Sequence, residues 1–487
     1  MRIDLARMRA ALSHHELLTE VRGALPPEAS SISDDSRTVE PGGLFIAVRG
    51  WQSDGHDFLD AAALRGASCV IVEDPTRTSL PALVVRKGRQ AAALAAATAF
   101  DNPARDLTLV GVTGTNGKTT TTSILRHLLD DGSRSSASIG TLGVLVGSEG
   151  SVLPGGSGLT TPGPVELQRV LRALVGKGVR AIAMEVSSHS LDQRRIDGIE
   201  FNAALFTNLT RDHLDYHGSM EAYLAAKARL VEYVRSGGTV IVNADAPEWA
   251  ALRPSGSRLT FAITANADVR AHGVRYVSSG SEWRLVTPGG EAHVRLPLIG
   301  DVNVQNALAA AASAFALGLP VADIASRLAT VPQVPGRLEV ISNRPTVLRD
   351  YAHTPDALER ALGTARAFTT GKLIVMFGCG GDRDKGKRPL MGEIAERGAD
   401  TVIVTSDNPR TENPESIIDE VEAGMRGSGH ERVVDRRAAI ERAIQLASDG
   451  DIVLLAGKGH ETYQIRGTVS YPFDEKEIVN EIVGKSA

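Results

Sequence analysis

A glycine-rich segment at residues 111–120 contains the residue types that bind nucleotide phosphates. It reads Gly-Val-Thr-Gly-Thr-Asn-Gly-Lys-Thr-Thr, follows an apolar run typical of a strand and opens a run typical of a helix. In that context glycines let backbone N–H groups surround phosphate oxygens, and the helix N-terminus adds its dipole. Lys118 supplies positive charge for the β- and γ-phosphates, and the Thr119 hydroxyl can bind Mg²⁺. The segment therefore predicts a P-loop, although Val112 stands where the standard spacing has glycine.

Acidic and histidine residues follow two further predicted strands. Glu185 ends the run Arg-Ala-Ile-Ala-Met-Glu, where a second contact to Mg²⁺ is expected beside a P-loop. Residues 207–218 contain two histidines, two aspartates and an arginine. The role of His213 stays open at this point, because Mg²⁺ prefers oxygen ligands. By residue type alone, Lys227 in its predicted helix is expected to be a solvated lysine.

Three polar loops follow predicted strands in the last third of the chain. They are residues 378–388 (GCGGDRDKGKR), 407–414 (DNPRTENP) and 457–461 (GKGHE). Ligands of open α/β sheets bind at the carboxyl ends of the strands. The three loops therefore predict one ligand site.

Composition excludes several classes of protein. The chain has 487 residues and a net charge of −5, which argues against a nucleic-acid partner bound through bulk charge. Its two cysteines cannot form a disulfide framework or a zinc site on their own. The N-terminus lacks the apolar core of a signal peptide, and the apolar run 307–322 is too short to span a bilayer. We expect a cytoplasmic monomer with no membrane partner.

Alternating short apolar runs and amphipathic helical runs predict an α/β fold with three domains. Residues 1–104 form a small N-terminal α/β domain. Residues 105–334 form a central P-loop domain with a doubly wound, mainly parallel sheet. Residues 335–487 form a C-terminal Rossmann-like domain.

The order and spacing of these motifs resemble the Mur ligase family. The series comprises GVTGTNGKTTT, MEVSSHSLDQRR, TNLTRDHLDYHG, GDVNVQNALAA, VPGRLEV, DYAHTPDALE, FGCGGDRDKGKRPLMG, DNPRTENP and GKGHETYQ, and DDSRTVEPGGLFIAVRG precedes it. The resemblance implies an amide ligase that uses ATP and Mg²⁺ and proceeds through an acyl phosphate. It also implies that the three domains bind, in order, a UDP-linked substrate, ATP and an amino acid. Binding groups from different domains imply domain closure.

The resemblance assigns roles to residues of the first two domains, and to Arg337 and Asp350 as residues that reach ATP from the third. For ATP it implies Gly114, Thr115, Asn116, Gly117, Lys118, Thr119, Thr120, Asn303, Arg337 and Asp350. For the UDP-muramoyl peptide it implies Ser36, Thr160, Thr161, Ser187, Gln193 and Arg195, with Leu159 and Trp51 departing from the family pattern. As metal ligands it implies Thr119, Glu185 and His213. Lys118, Glu185, His213 and Lys227 would be catalytic, with Lys227 carrying a carbamate as N6-carboxylysine.

The loops of the third domain indicate the amino acid. The guanidinium of Arg410 matches the geometry of a carboxylate such as the far one of meso-diaminopimelate. Asp407 or Glu461 can take the far ammonium, Arg383 the other carboxylate, and Gly457 allows a close backbone approach. Asn408 and Pro409 complete the set. The resemblance implies addition of meso-diaminopimelate to UDP-N-acetylmuramoyl-L-alanyl-D-glutamate. Alternatives are the L-lysine-adding subtype, a folylpolyglutamate-synthase-like ligase and a P-loop switch.

Overall fold

The chain forms two compact units. The computed structural model describes residues 2–50, 53–156, 158–253, 256–277 and 280–486. The first unit comprises Met1–His272, Leu285–Ala292 and Asn306–Arg327, and the second comprises Gly273–Arg284, His293–Gln305 and Leu328–Ala487. The three domain boundaries expected from the sequence stay a prediction.

The first unit begins with a small α/β layer. Its elements are β1 (Ile3–Asp4), α1 (Leu5–His14), β2 (Leu18–Arg22), β3 (Glu28–Ala29), β4 (Ile32–Ser33), β5 (Leu44–Ile46), α2 (Leu59–Leu64), β6 (Cys69–Val72), β7 (Ala82–Val85) and α3 (Gly88–Ala99). Strands lie in the order β2-β7-β6-β5-β4, and every pair except β2–β7 is parallel. The alanine-rich α3 is buried along most of its length, because small side chains allow close packing on the sheet.

A larger sheet follows in the same unit. Its elements are β8 (Thr108–Thr113), α4 (Lys118–Leu129), β9 (Ser135–Gly140), β10 (Gly143–Val146), β11 (Ser151–Leu153), α5 (Pro164–Gly176), β12 (Val179–Glu185), α6 (Ser188–Asp192), β13 (Phe201–Phe206), α7 (Leu214–His217), α8 (Met220–Ala228), β14 (Val234–Asn243), β15 (Ser257–Ala262) and β16 (Val269–Val277). The order is β11-β10-β9-β12-β8-β13-β14-β15-β16. Strands β9, β12, β8, β13, β14 and β15 pair in parallel, so their carboxyl ends share one edge.

The next four elements, like β16, are divided between the units. They are β17 (Gly280–Thr287), β18 (Gly290–Leu296), α9 (Asp301–Ala316) and α10 (Val321–Leu328). Strands β17 and β18 follow β16, in that order, in the larger sheet.

The second unit contains a six-stranded sheet in its described residues. Its elements are β19 (Glu339–Asn343), β20 (Thr346–Asp350), α11 (Pro355–Phe368), β21 (Leu373–Phe377), α12 (Lys387–Gly398), β22 (Thr401–Val404), α13 (Pro414–Glu422), β23 (Glu431–Arg432), α14 (Arg436–Leu446), β24 (Ile452–Ala456), β25 (Tyr463–Arg466), β26 (Val469–Pro472) and α15 (Glu475–Ser486). The order is β19-β20-β24-β21-β22-β23, parallel except for β19–β20. All five residues of both β21 and β24 are buried, as their apolar runs predict.

A buried arginine fixes the ends of two strands in this sheet. Arg436 pairs with Glu475 at 2.8 Å, and neither side chain is exposed. Its guanidinium also donates to the carbonyl oxygens of Ser406 and Ala456. Because these two residues precede the loops 407–414 and 457–461, the arginine holds both loops at one edge of the sheet.

The expected α/β fold class is confirmed, with a mainly parallel P-loop sheet and a second sheet of Rossmann type. Across the described ranges, no helix combines the length and apolar character needed to cross a bilayer.

Candidate active site

The predicted P-loop joins β8 to α4 in the first unit. Gly114 and Gly117 have φ angles of 147° and 85°, which disfavour other residues. A Cβ on Gly114 would lie 1.9 Å from Thr207 Oγ1, and one on Gly117 would lie 2.4 Å from Asn306 Oδ1. Glycine is therefore required at both positions. The loop residues and Lys118, Thr119 and Thr120 at the start of α4 lie together, as the sequence predicts.

Residues after β13 hold this loop in place. The backbone N–H groups of Thr115 and Asn116 donate to the carbonyl oxygen and Oδ1 of Asn208, at 2.8 and 2.9 Å. Thr207 Oγ1 donates to the Asn116 carbonyl oxygen at 2.7 Å. Asn208 is not among the site residues predicted from the sequence. Its position directly after a strand parallel to β8 is the signal that could have identified it.

Two lysines converge on one carbonyl oxygen of the P-loop. Lys118 Nζ lies 2.9 Å and Lys227 Nζ 2.8 Å from the oxygen of Gly114. Lys227 is 1% exposed and lies over the ring of Tyr223. Burial, and then the charge of Lys118, lowers the pKa of Lys227 well below its usual range. The prediction, from residue type alone, that Lys227 is a solvated lysine is wrong, because α8 packs this side chain inside the unit.

Glu185 presents a buried carboxylate at the end of β12. It is 1% exposed, and Thr141 donates to its two oxygens from the backbone N–H at 2.9 Å and from the hydroxyl at 3.2 Å. Within the described residues no cationic side chain pairs with it. A buried carboxylate without a cation suits a divalent metal ion. Thr141 was missed because a threonine after a strand is common.

The ligands available here fit Mg²⁺, which binds few protein groups, better than a metal ion whose ligands are all protein side chains. No three His, Cys, Asp or Glu side chains converge on one point in the part of the chain that the structure describes. Mg²⁺ is commonly bound by one or two carboxylates together with phosphates and waters. The Glu185 carboxylate and the Thr119 hydroxyl are oxygen ligands of this kind, whereas His213 offers nitrogen.

His213 belongs to a cluster of aromatic rings. It has a φ of 53° directly before α7, and its Nε2 lies 3.4 Å from Asp212 Oδ2. Its ring centroid lies 4.8 Å from that of His189, which also contacts Tyr216 at 4.3 Å. Burial lowers the pKa of His213 and lowers that of His189 to about 4. Both imidazoles are therefore neutral at pH 7, and a neutral imidazole can bind a metal ion.

Five of the six residues expected to bind the muramoyl peptide lie around the end of β12. Thr161 Oγ1 donates to the Glu185 carbonyl oxygen at 2.9 Å and accepts from the Ser187 N–H at 3.0 Å. Arg195 donates to the Thr161 carbonyl oxygen at 3.0 Å and to Gln193 Oε1 at 2.6 Å. The Thr160 hydroxyl lies 3.3 Å from that of Thr141.

The sixth residue, Ser36, opens a short turn in the N-terminal layer. Among the described residues, no hydrogen bond joins Ser36 to that network. Trp51 lies outside the described residues, and Leu159 is exposed.

The second unit brings together the acidic part of the expected amino-acid site. Asn408 Nδ2 donates to Glu461 Oε2 at 2.9 Å, and Lys458, on the same loop as Glu461, donates to both residues. Gly457 has a φ of 113°, and a Cβ there would lie 3.2 Å from Asp407 Oδ2. Lys458 is not among the site residues predicted from the sequence, because its burial is a property of the fold.

Two arginines lie on either side of Gly380. A Cβ on Gly380 would lie 3.0 Å from Arg410 Nη1 and 3.8 Å from Arg383 Cγ. Arg410 has a φ of 51°, and its Nη1 donates to the Gly381 carbonyl oxygen at 2.8 Å. Pro409 precedes it, and its carbonyl oxygen lies against Gly381. Both expected carboxylate-binding arginines therefore have side-chain atoms beside Gly380.

The remaining residues expected to bind ATP belong to the second unit. Asp350 ends β20 and accepts from the N–H groups of Leu338 and Ala352 at 2.7 and 2.8 Å. Burial raises its pKa. The Arg337 guanidinium lies 4.9 Å from the ring centroid of Tyr351. Asn303 lies in α9, and its Nδ2 donates to the carbonyl oxygen of Ile299, just before this helix, at 2.9 Å.

Three family models match successive parts of the chain. They are the Mur ligase family, catalytic domain, over residues 28–104; the Mur ligase middle domain over 112–314; and the Mur ligase, glutamate ligase domain, over 336–459.

Two relatives carry the name UDP-N-acetylmuramoyl-L-alanyl-D-glutamate–2,6-diaminopimelate ligase. The protein of Synechococcus elongatus is 45% identical over 483 residues, which cover 95% of each chain. That of Geobacillus kaustophilus is 42% identical over 469 residues, covering 94% of this chain and 95% of the relative.

Solved structures agree with these matches. A structure of a ligase of the same name is 34% identical with a TM-score of 0.69, covering 98% of this chain and 99% of the other. The MurF ligase of Thermotoga maritima, solved in complex with ADP, is 20% identical with a TM-score of 0.64, covering 94% and 98%, and supports the fold. The chain belongs to the Mur ligase family.

Proposed function

We propose that this chain is an ATP-dependent ligase that adds meso-2,6-diaminopimelate to UDP-N-acetylmuramoyl-L-alanyl-D-glutamate in peptidoglycan precursor synthesis. The names of relatives that are 42% and 45% identical over nearly the whole chain support this function. The structural observation that carries it is the position of Arg410 in the second unit. Arg410 offers a guanidinium on the same loop that presents the Asp407 carboxylate. The far end of meso-diaminopimelate carries one carboxylate and one ammonium, which need these two groups.

The reaction activates a carboxylate that is a poor electrophile at neutral pH. Transfer of the γ-phosphoryl group of ATP to that carboxylate gives an acyl phosphate and ADP. The amine of diaminopimelate attacks the acyl carbon, and the tetrahedral intermediate loses phosphate and a proton to give the amide. Phosphoryl transfer depends on positioning and charge neutralisation. The P-loop N–H groups and the Lys118 ammonium supply both for the phosphates.

Mg²⁺ is the second cofactor of this proposal. Glu185, the Thr119 hydroxyl and the neutral imidazole of His213 would hold it. When bound, Mg²⁺ neutralises charge on the phosphate oxygens. The buried carboxylate of Glu185, which has only Thr141 as a side-chain donor among the described residues, supports this assignment.

Lys227 would act as a carbamate. A neutral lysine amine adds to CO₂ with formation of an N–C bond and release of a proton, and the product is an anion with oxygen ligands. The lowered pKa of Lys227 supports this chemistry, because it favours the neutral amine that reacts. Carbamate formation would also replace a buried cation next to Lys118 with an anion, which removes a repulsion.

Each substrate would be bound by its own set of residues. Thr160, Thr161, Ser187, Gln193 and Arg195 would hold the muramoyl peptide, with Ser36 at its nucleotide end. Asp407, Asn408, Pro409, Arg410, Arg383, Gly457 and Glu461 would hold diaminopimelate, and Asn303, Arg337 and Asp350 would contact ATP together with the P-loop. The protein would act in the cytoplasm as a monomer, without a membrane or nucleic-acid partner, with domain boundaries near residues 104 and 334.

A competition assay tests the amino acid. Purified protein is incubated with ATP, Mg²⁺, UDP-N-acetylmuramoyl-L-alanyl-D-glutamate and an equimolar mixture of meso-diaminopimelate, L-lysine and L-glutamate, and the product mass is measured. We expect the diaminopimelate adduct. A lysine adduct would indicate the lysine-adding subtype, and a glutamate adduct a ligase of the folylpolyglutamate-synthase kind. ATP hydrolysis without any adduct would contradict the ligase assignment.

A further inference from the structure

A fully buried lysine contacts three polar residues of the proposed amino-acid site. The Lys458 side chain has no exposed surface. Its Nζ lies 2.9 Å from Glu461 Oε2, 3.1 Å from Asn408 Oδ1 and 3.5 Å from Asp407 Oδ1. An ammonium has three hydrogens to donate, and a buried one is costly unless it is paired and hydrogen-bonded. The geometry therefore gives Lys458 two hydrogen-bond acceptors, Asn408 and Glu461, and an ion pair with Asp407 within this site.

Lys458 also determines the charge of the cluster. Asp407 and Glu461 contribute two formal negative charges and Lys458 contributes one positive charge, which leaves one net negative charge. Asp407 is 7% exposed, and its Oδ1 is buried without a hydrogen-bond donor among the described residues. A cluster with one net negative charge and one carboxylate oxygen without a donor matches a single ammonium group of a ligand.

Hydrogen bonds connect this cluster to the loop of Arg410. Asn408 Oδ1, which accepts from Lys458, also accepts from the backbone N–H of Ile465 at 2.9 Å. The carbonyl oxygen of Ile465 in turn accepts from the backbone N–H of Arg410 at 3.2 Å. Lys458, Asn408, Ile465 and Arg410 are thus linked in series. Loss of Lys458 would release Asn408 and, through it, the backbone contact that orients Arg410.

We propose that Lys458 is a positioning residue that sets amino-acid specificity, by holding Asp407, Asn408 and Glu461 at one net negative charge and by fixing the loop that carries Arg410. This inference rests on the proposed function, because it concerns the same amino-acid site. It assigns Lys458 no contact with the substrate. Its effect is on which amino acid the site accepts.

The variant Lys458→Met tests this role, since methionine has a similar length and no charge. The KM for meso-diaminopimelate should rise roughly tenfold or more, which is the size of effect expected when a hydrogen bond to a charged group is lost. The KM for ATP should not change. The preference for meso-diaminopimelate over L-lysine, measured as the ratio of the two kcat/KM values, should fall, because the site then carries two negative charges and a poorly oriented Arg410.

A double variant distinguishes the charge role from simple filling of space. Lys458→Met combined with Glu461→Gln restores one net negative charge and keeps an acceptor for Asn408 Nδ2. Its kcat/KM for meso-diaminopimelate should exceed that of Lys458→Met alone. A value equal to or lower than that of Lys458→Met alone would overturn the proposal.

A matched control and a second variant complete the test. Lys476→Met removes a lysine of the same unit that pairs with Glu339 at 3.0 Å, and it should leave the preference unchanged. If Lys458→Met fails to fold, Asn408→Asp adds one negative charge while keeping Lys458, and it should lower the same preference. An unchanged preference in either variant would overturn the role of Lys458. Absence of meso-diaminopimelate turnover in the wild type would instead contradict the proposed function.

Discussion

Lys227 and Lys118 donate hydrogen bonds to the same carbonyl oxygen, that of Gly114, from 2.8 and 2.9 Å. Two ammonium groups that share one acceptor repel each other, and the charge of Lys118 contributes to the lowered pKa of Lys227. The contact joins α8 to the first residue of the P-loop. A change in the charge of Lys227 would therefore change the electrostatic environment of the proposed phosphate site.

Replacement of Lys227 by alanine should nearly abolish ligase activity. The proposed carbamate would be lost, and with it an anionic oxygen ligand close to the P-loop. Added acetate or formate should restore part of the activity, because a free carboxylate can occupy the vacated position. Activity is measured as product formation with increasing concentrations of the acid. Full activity without added acid would show that no anion is needed at this position.

Replacement of Lys118 by alanine should abolish product formation while the fold persists. The Lys118 ammonium donates to the carbonyl oxygens of Gly114 and Thr115 in the P-loop. Product formation and the thermal unfolding temperature are measured together. Unlike Lys227→Ala, this variant should not respond to added carboxylic acids, so each lysine variant serves as the control for the other. Turnover close to that of the wild type would remove the P-loop assignment.

Local sequence was sufficient to predict the P-loop and the buried parallel strands of the two larger sheets. The run Leu-Thr-Leu-Val-Gly-Val followed by Gly-Thr-Asn-Gly-Lys predicted β8, the loop and α4, because apolar runs and glycine spacing are local signals. The buried five-residue strands β21 and β24 were predicted for the same reason. The placement of the site at the carboxyl ends of parallel strands followed from the topology rule.

Long-range contacts could not be predicted from residue types. Lys227 was indistinguishable from a surface lysine until α8 was packed against the P-loop, since burial is a property of the fold. Thr141 holds Glu185 from a position 44 residues earlier in the chain. Lys458 is adjacent to glycines that gave no indication of the three polar partners around it. In each case at least one partner lies at the end of another strand.

The pH dependence of stability should reveal the half-buried His460. Burial, followed by the charges of Arg337 and Arg349, lowers its pKa from 6.5 to about 4. Between these two pH values the unfolded chain binds a proton that the folded chain does not, so this residue lowers stability as the pH falls through that range. The loss between pH 7 and pH 5 should be about 2 kcal/mol.

Urea unfolding of the wild type and of His460→Gln at both pH values measures this contribution. The variant should lose less stability on acidification than the wild type does. His14→Gln is the matched control, because His14 is an exposed histidine at the end of α1. Equal losses in the wild type and in His460→Gln would contradict the neutral state of His460.

Arg410 provides the sharpest test of substrate choice. Its guanidinium should pair with the far carboxylate of meso-diaminopimelate, and a hydrogen bond to a charged group is worth roughly 1.5–3 kcal/mol, with a further cost when a buried partner is left unpaired. Arg410→Ala should therefore lower kcat/KM for meso-diaminopimelate by roughly two orders of magnitude. Arg410→Lys should recover only part of this loss, because an ammonium cannot form two parallel hydrogen bonds in one plane.

The two Arg410 variants are matched in backbone strain. Arg410 has a φ of 51°, and alanine and lysine meet the same left-handed conformation, so their difference reports on the side-chain cation. The KM for ATP should stay unchanged in both, because the P-loop belongs to the other unit. The wild type should reject L-lysine, which leaves Arg410 without an anion. Measurement of kcat/KM for both amino acids in the wild type and the two variants tests the role of Arg410 in substrate choice. Efficient use of L-lysine by the wild type would refute the diaminopimelate assignment while leaving the chain a Mur ligase.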